Sequence, residues 1–526
     1  MARALRVRLE SRPGLRYFSS AFFSALKPNQ TLSNPNPRVY MSMRRAKIVC
    51  TLGPASANPE MIRELMRRGL DVARLNCSHG SHEDLTRMVK LVRDASAELH
   101  RPVAILLDLQ GPKIRIGRFP GGPVVVNKGD KITITTVETE PCTQTRLSTT
   151  YQELAHDVKP GDRILLDDGN VELRVLKSEG REVETEVVFG GKLSNNKGMN
   201  LPGVKTSVPS LTDKDKADLM HGLSLDVDYV ALSFVREPGD VRLVQQLIHS
   251  QLKNVPVIAK IEKPEAIKNI DDIIAVSDGV MVARGDMAVE ISPQMVPSAQ
   301  KMIIHKCNVA GIPVIIATQM LESMIDHARP TRAEASDVAN AIFDGADAVM
   351  LSAETASGSY PSQTVQIMTD IIKQAEKDRE SLNVRKPAEP PVISIPDSIE
   401  HAASRVAVET GAKAIVCVTN SGRAAQAISK FRPKVPVFAI TDRPEVLQRL
   451  ALVWGIKGVL ITESLPDTDA LGMAEQAVVG WWNKYLVPAV KPLQKGDLLA
   501  MTIGIPLAAR SKTNTLTVHV IRGAKA

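Results

Sequence analysis

Aromatic side chains are scarce: Phe, Trp and Tyr make up 3% of the 526 residues. Non-specific binding of single-stranded nucleic acid relies on rings that stack on bases, so no nucleic-acid partner is expected. Long apolar runs are missing as well. No stretch approaches the roughly 18 consecutive apolar residues of a membrane helix, and no membrane partner is expected. The five cysteines (Cys50, Cys77, Cys142, Cys307, Cys417) are odd in number and form no C-x-x-C pair. Such a pattern fits a reducing compartment and leaves no structural zinc site. Cys50 and Cys417 fall inside apolar runs, where a thiol acts as a small core filler.

Acidic residues are nearly absent from one segment only. Residues 1–45 contain nine Lys or Arg against Glu10, which accounts for the chain's whole net charge of +8. The rest is balanced, so a generally basic body is excluded and any basic patch must be local. The leader, 1–43, is Arg- and Ser-rich, is expected to be unfolded, and resembles an organellar transit peptide. The competing view is an over-long start, with Met41 or Met43 as the true first residue. The expected location is therefore the cytoplasm, or an organelle if the leader is genuine. A secretory signal fits poorly, because serines interrupt YFSSAFFSAL.

What is present is a repeated unit: an apolar, β-branched run, a polar cluster, then a helical stretch. The runs include AKIVCTLG (46–53), DVARLNCS (71–78), VAILLDLQG (103–111), VDYVALSF (227–234), VPVIAKIE (255–262), GVMVARGD (279–286), PVIIATQM (313–320) and ADAVMLSAE (346–354). Continuous apolar strands alternating with helices indicate a parallel sheet covered on both faces. Eight units predict a closed (β/α)8 TIM barrel, built from 44–118 and 210–388. An open doubly wound sheet is the competing architecture. Helix starts are marked by Asn58-Pro59 and by the Thr331–Glu334 capping box.

Between the third and fourth runs, 119–209 change to a period of two, as in KITITTV and EVETEVVF, with Asp168-Gly169 as a hairpin turn. This predicts an all-β domain inserted after a strand's C-terminal end, placed over the barrel mouth as a lid. A Pro-rich linker then leads to a C-terminal α/β domain, 389–526.

Polar residues gather where the barrel strands should end: Thr51, Arg74, Asn76, Ser78, His79, Asp108, Arg115, Ser233, Lys260, Glu262, Arg284, Asp286, Thr318, Gln319, Ser352 and Glu354. Strand ends meet water in any barrel, but cations and carboxylates on so many strands point to chemistry. Lys260 and Glu262 are two apart and face one side. A plain Lys–Glu salt bridge would explain them alone. With Asp286 ending the neighbouring strand, two carboxylates can share Mg²⁺ or Mn²⁺ while Lys260 faces the ion's ligand. Such a lysine suits an enolate or a phosphoryl group in transfer. Arg74 and Arg115 add cations for phosphate, and Thr318 adds a hydroxyl. Gly285, just before a short helical turn, offers amides for a carboxylate.

These stretches, with TLGPAS, ARLNCSHG, GPKIRIG, KGMNLPG, IAKIE, MVARGD, ATQMLESM and MLSAETASGSYP in order, resemble the pyruvate kinase family from about Arg44 onward. The resemblance implies transfer of phosphoryl from phosphoenolpyruvate to ADP, giving pyruvate and ATP. It implies Glu262 and Asp286 as metal ligands, Lys260 and Arg74 at the transferring phosphate, and Gly285, Asp286 and Thr318 at the substrate carboxylate. Asn76, His79 and Lys197 would approach the nucleotide. Thr318 and Ser352 lie on the proposed route of the enolate proton. It also implies a homotetramer, with the helix from Thr331 at a subunit contact.

Two departures from the commoner family pattern stand out. Leu109 and Lys113 replace a threonine and a glutamate beside Asn76, Ser78 and Asp108, where other members bind K⁺. Lys113 then replaces the monovalent ion, as in a potassium-independent branch. Cys77 stands where phenylalanine is usual, which predicts a packing change only. In the C-terminal domain, Thr419, Ser421, Gly422 and Arg423 lie between a strand and a helix as a phosphate nest. The resemblance makes this an effector loop, for a sugar monophosphate or AMP given Asn420; an ordinary N-cap at Ser421 is the alternative. Two rival functions remain, a divalent-metal aldolase acting on a pyruvate enolate and a non-catalytic metabolite-sensing paralogue.

Overall fold

The computed structural model describes residues 44–137, 141–381, 392, 394–462, 469–487, 490–507 and 511–522. The expectations for residues 1–43 fall outside this set. Among the described residues no helix is long and apolar enough to cross a membrane.

Eight parallel strands form a closed barrel: β1 Lys47–Thr51, β2 Val72–Asn76, β3 Ala104–Asp108, β4 Tyr229–Leu232, β5 Val257–Ile261, β6 Gly279–Ala283, β7 Val314–Ala317 and β8 Ala348–Leu351. Closure is made by β1 on β8, with Lys47 opposite Ala348, and this replaces the open-sheet alternative. The strands read as unbroken apolar runs because both faces are covered. Val49, Leu106, Ile258, Met281, Ile315 and Met350 fill the interior. Their neighbours, such as Ile48, Leu107, Val257 and Val282, meet the surrounding helices. Helix starts follow local chemistry. Asn58 accepts from the Met61 amide with Pro59 in the first turn, and Thr331 and Glu334 form a reciprocal capping box.

Between β3 and β4 lies an all-β region. It is a six-stranded sheet in the order 199–200, 163–166, 171–179, 182–189, 131–135, 146–148, plus the pair 124–126 and 191–193. It has its own core around Ile134, Ile164, Leu173 and Val183. Asp167, Asp168 and Gly169 all take positive φ at the hairpin turn, as the Asp-Gly signal predicts. This region meets the barrel's C-terminal end. Asn200 Nδ2 donates to Glu290 Oε1 at 2.9 Å, and Arg236 Nη1 donates to the Thr206 carbonyl at 3.1 Å.

The C-terminal sheet contains β9 Ala414–Val418, β10 Val437–Thr441, β11 Ile456–Leu460, β12 Leu498–Ile503 and β13 Thr515–Val520, in the order β11-β10-β9-β12-β13. Only β13 is antiparallel. This domain docks under the barrel floor. Ala451 and Leu452 join the interior cluster, and the Tyr229 hydroxyl donates to the Arg449 carbonyl at 2.9 Å. Two cations counted with the basic leader belong to this seam. Arg44 is buried against Asp71, and Arg45 donates to the Lys434 carbonyl.

Candidate active site

The side chains at the C-terminal ends of β2 to β6 converge. Lys260 Nζ lies 2.6 Å from Ser233 Oγ and 3.2 Å from both Asp108 Oδ1 and Glu262 Oε1. Arg74 Nε donates to Asp108 Oδ2 at 2.6 Å, and its Nη1 donates to Thr51 Oγ1 at 2.9 Å. One buried carboxylate therefore serves two cations from two other strands. The β2–β3 register contributes, because it sets Arg74 opposite Leu106, two residues before Asp108 on the same side of β3.

The electrostatics follow from this crowding. Burial works against the Lys260 charge, yet Asp108 and Glu262 outweigh it and hold the ammonium pKa above its ordinary value. Burial also opposes ionisation of Asp108, but Lys260 and Arg74 win and keep its pKa low. Glu262 differs: burial, with repulsion from Asp286, pushes its pKa up despite Lys260. The simple Lys–Glu salt bridge does exist. Asp108, Ser233, Arg74 and Asp286 around the same pair make it part of a larger cluster.

Glu262 Oε2 accepts from the Phe234 amide at 2.9 Å, whereas the buried Oε1 faces only the Lys260 ammonium at 3.2 Å. Among the described residues no group of three or more His, Cys, Asp or Glu forms a protein-only metal cage. Glu262 with Asp286 matches what Mg²⁺ accepts, one or two carboxylates with the remaining positions left to substrate and water.

The helix after β6, Arg284–Ile291, starts two residues earlier than expected, so Gly285 lies within its first turn. Its amide donates to Thr318 Oγ1 at 2.9 Å. Thr318 and Gln319 hold φ of 68° and 54°, costly for side-chain-bearing residues and most of all for β-branched threonine. Arg284 holds this kink. Its Nη2 donates to the Thr318 carbonyl at 2.6 Å, while its Nη1 is fixed by Asp337 at 2.6 Å. Ser352 follows β8, and its amide donates to Glu354 Oε2 at 2.6 Å. Phe234, with φ of 55°, and the Arg284 clamp were not foreseen beyond their places in the chain. Neither has a local sequence signal.

The residues expected at the nucleotide (Asn76, His79 and Lys197), and the phosphate cation Arg115, are less gathered. Asn76 Oδ1 accepts from the Ser78 amide, and His79 is exposed. Lys197 pairs with Asp167 at 2.6 Å and Arg115 donates to the Asn196 carbonyl at 2.9 Å, so both are held by partners within the all-β region. Lys113 and Asp286 line a narrow cavity of about 40 Å³ between that region and the barrel.

In the C-terminal domain, β9 sits where the strand order reverses, the usual place for a ligand crevice in an open α/β sheet. The loop after it, with Thr419, Asn420, Ser421 and Arg423, borders a cavity of about 680 Å³. The ordinary N-cap alternative fails, because Gly422, in the left-handed region, occupies the cap and Ser421 does not. Thr419 Oγ1 accepts from the Gly422 amide at 3.0 Å.

Comparison with known proteins adds the following. Residues 43–365 match the family model described as pyruvate kinase, barrel domain, and residues 397–519 match pyruvate kinase, alpha/beta domain. The chain is 46% identical over 488 residues to pyruvate kinase 2 of Synechocystis, covering 91% of this chain and 80% of that protein. It is 44% identical to the pyruvate kinase of Corynebacterium glutamicum, covering 91% and 98%. A crystal structure of a pyruvate kinase from Cryptosporidium parvum superposes with a TM-score of 0.83 at 36% identity, covering 91% and 96%.

Proposed function

Because this chain belongs to the pyruvate kinase family, we propose that its barrel mouth transfers phosphoryl from phosphoenolpyruvate to ADP, giving pyruvate and ATP. The observation that supports this most is the Lys260 ammonium, held among Asp108, Glu262 and Ser233 beside Arg74. Phosphoryl transfer asks for positioning and charge neutralisation more than covalent help.

Glu262 and Asp286 hold Mg²⁺ or Mn²⁺. Bound there, the ion supplies Lewis-acid stabilisation of substrate oxygens. Lys260 neutralises charge on the enolate oxygen and on the phosphoryl leaving it. Arg74, fixed by Asp108 and Thr51, grips the transferring phosphate. Gly285, Asp286 and Thr318 seat the substrate carboxylate, and the Arg284 clamp keeps Thr318 in its kinked backbone. Thr318 and Ser352 lie on the route that protonates the enolate carbon. Asn76, His79 and Lys197 receive the nucleotide and Arg115 adds a cation for phosphate, which requires Arg115 and Lys197 to exchange their present partners for phosphate oxygens.

Lys113 takes the part of a monovalent cation near Asn76, Ser78 and Asp108, so K⁺ is not required. The loop Thr419–Arg423 binds the phosphate of an activating sugar monophosphate or AMP. The active form is a homotetramer with the helix Arg332–Asp344 at a subunit contact.

The test is release of pyruvate from phosphoenolpyruvate by the full chain with Mg²⁺, with and without ADP. ADP-dependent release supports the proposal. Turnover of a pyruvate enolate with an aldehyde and no ADP requirement favours the aldolase. Binding of phosphoenolpyruvate without turnover favours a sensing paralogue.

A further inference from the structure

The helix Asp213–Ser224 begins where the chain returns from the all-β region to the barrel, with Thr212 as its cap. Its first turns reach the two loops that carry the expected nucleotide and cation-site residues. Asp215, fully buried, accepts from the Gly111 amide at 3.0 Å, which ties down the loop between β3 and Lys113. Its other oxygen accepts from the Thr212 amide and hydroxyl, at 3.0 and 2.6 Å. Lys214 Nζ donates to the Cys77 carbonyl at 2.7 Å, in the loop after β2. The Cys77 amide donates in turn to the Asp108 carbonyl at 3.0 Å. Residue 77 is therefore held from two sides, by β3 and by the helix, and through its backbone alone.

The other end of the same loop is held too. Asp218 is 4% exposed and gives its two oxygens to two partners: Oδ2 pairs with Lys214 Nζ at 2.5 Å, and Oδ1 lies 2.9 Å from His82 Nε2. His82 is the first residue of the next helix, His82–Glu98. Its ring stacks on His221 with centroids 4.3 Å apart and planes 4° from parallel, and His221 Nε2 sits 2.9 Å from the His82 carbonyl. Between the two anchors lie only Ser78, His79, Gly80 and Ser81. Within that span the Ser78 amide donates to Asn76 Oδ1 at 3.1 Å and the His79 amide to the Asn76 carbonyl at 3.3 Å. The loop's shape and the Asn76 side chain are thus set together. A short span pinned at both ends has little freedom left to lose when a ligand binds.

We propose that Lys214 and Asp218 are positioning residues for the nucleotide: they hold the loop 77–82 in the shape that lets Asn76 and His79 receive a nucleoside diphosphate. The proposal rests on the reading that Asn76 and His79 meet the nucleotide. Lys214 and Asp218 act through the loop and not on the reacting atoms. Removing one member leaves its partners unmatched, a buried carboxylate among them, and frees the loop. A loop that grips one substrate equally in the ground state and the transition state sets the KM of that substrate and not kcat.

The test is steady-state kinetics of the full chain with Mg²⁺, varying ADP and phosphoenolpyruvate separately, with calorimetric titration of ADP alongside and a thermal melt to establish folding. Lys214→Met is expected to raise KM for ADP, and to weaken its calorimetric affinity, on the order of tenfold, while kcat and KM for phosphoenolpyruvate change less than about threefold. Lys214→Arg keeps a cationic donor and is expected to recover most of the loss. Asp218→Asn is the second variant, expected to shift the same constants should Lys214→Met fail to fold. Lys216→Met, on the same helix but paired with exposed Asp213, is the control and should change neither KM. Unchanged ADP constants in the folded variants, or an equal loss for both substrates, overturns the proposal. His79→Ala separates it from the reading beneath. If His79→Ala weakens ADP binding and folded Lys214→Met does not, the positioning role alone is wrong. If neither weakens it, the loop does not receive the nucleotide and both fall.

Discussion

The two ends of the barrel use the same cationic side chains in opposite ways. At the mouth, Lys260 and Arg74 meet Asp108, and Lys260 also meets Glu262, so the ammonium pKa sits above its ordinary value. At the floor, seven cations line a cavity whose one lining carboxylate is Asp71, with Glu64 pairing Arg67 and Arg68, and Lys457 is pushed down to about 7. A nearly balanced cluster can keep its charges fixed while negative charge appears and moves during a reaction. An unbalanced one is raised in energy by its own repulsion and is relieved by a lasting anion. Counting cations does not separate the two cases; counting the carboxylates within ion-pair distance does.

The most forceful way to break this contrast is to remove the ammonium at the mouth. Lys260→Met is expected to lower kcat roughly 100- to 1,000-fold, the range for losing a preorganised charge that acts on a transition-state oxygen. Because the variant leaves Asp108 and Glu262 facing each other without their shared cation, its stability should also fall. Steady-state kinetics and a thermal melt read the two effects. A variant with near-normal kcat would show that the cluster is structural only.

A smaller effect is expected at the edge of the mouth. Lys113, beside Asp286 in the cavity under the all-β region, is proposed to stand in for a monovalent ion. Lys113→Leu should lose activity on the order of tenfold in tetramethylammonium buffer, equal to about 1.4 kcal/mol. Added K⁺ should restore part of it. The unsubstituted chain should respond little to K⁺, and strong activation by it would remove this role for Lys113.

How much of this was legible depended on how far apart the cooperating residues lie. The barrel could be read because strands buried on both faces give continuous apolar runs, and eight of them recurred. Lys260 and Glu262 could be read because a spacing of two in a strand means one side. The shared role of Asp108 could not, since it depends on the register of β2 against β3 and on the reach of Lys260 across the barrel. The positive φ of Thr318 and Phe234 has no local signal, as neither residue favours that conformation. The floor cavity was hidden most completely: Lys47 and Lys457 are 410 positions apart, and Arg44 had been counted with the leader's excess charge.

The subtlest difference between the two ends is a dependence of stability on pH. Lys457 has a folded pKa of about 7 against an ordinary 10.5. Between those values the unfolded chain binds the extra proton and the folded chain does not, so stability rises with pH across the window. Lys47, at about 8, adds the same sign over a narrower range. Lys260 is shifted the other way, so its contribution is fully present below 10.5 and is lost only as pH passes its raised folded value. In anion-free buffer, Lys457→Met should therefore be more stable than the unsubstituted chain at pH 7 and should show a shallower gain toward pH 9. Denaturant melts at pH 7, 8 and 9 read the slope directly. Equal slopes in the two proteins would mean that Lys457 keeps its proton throughout.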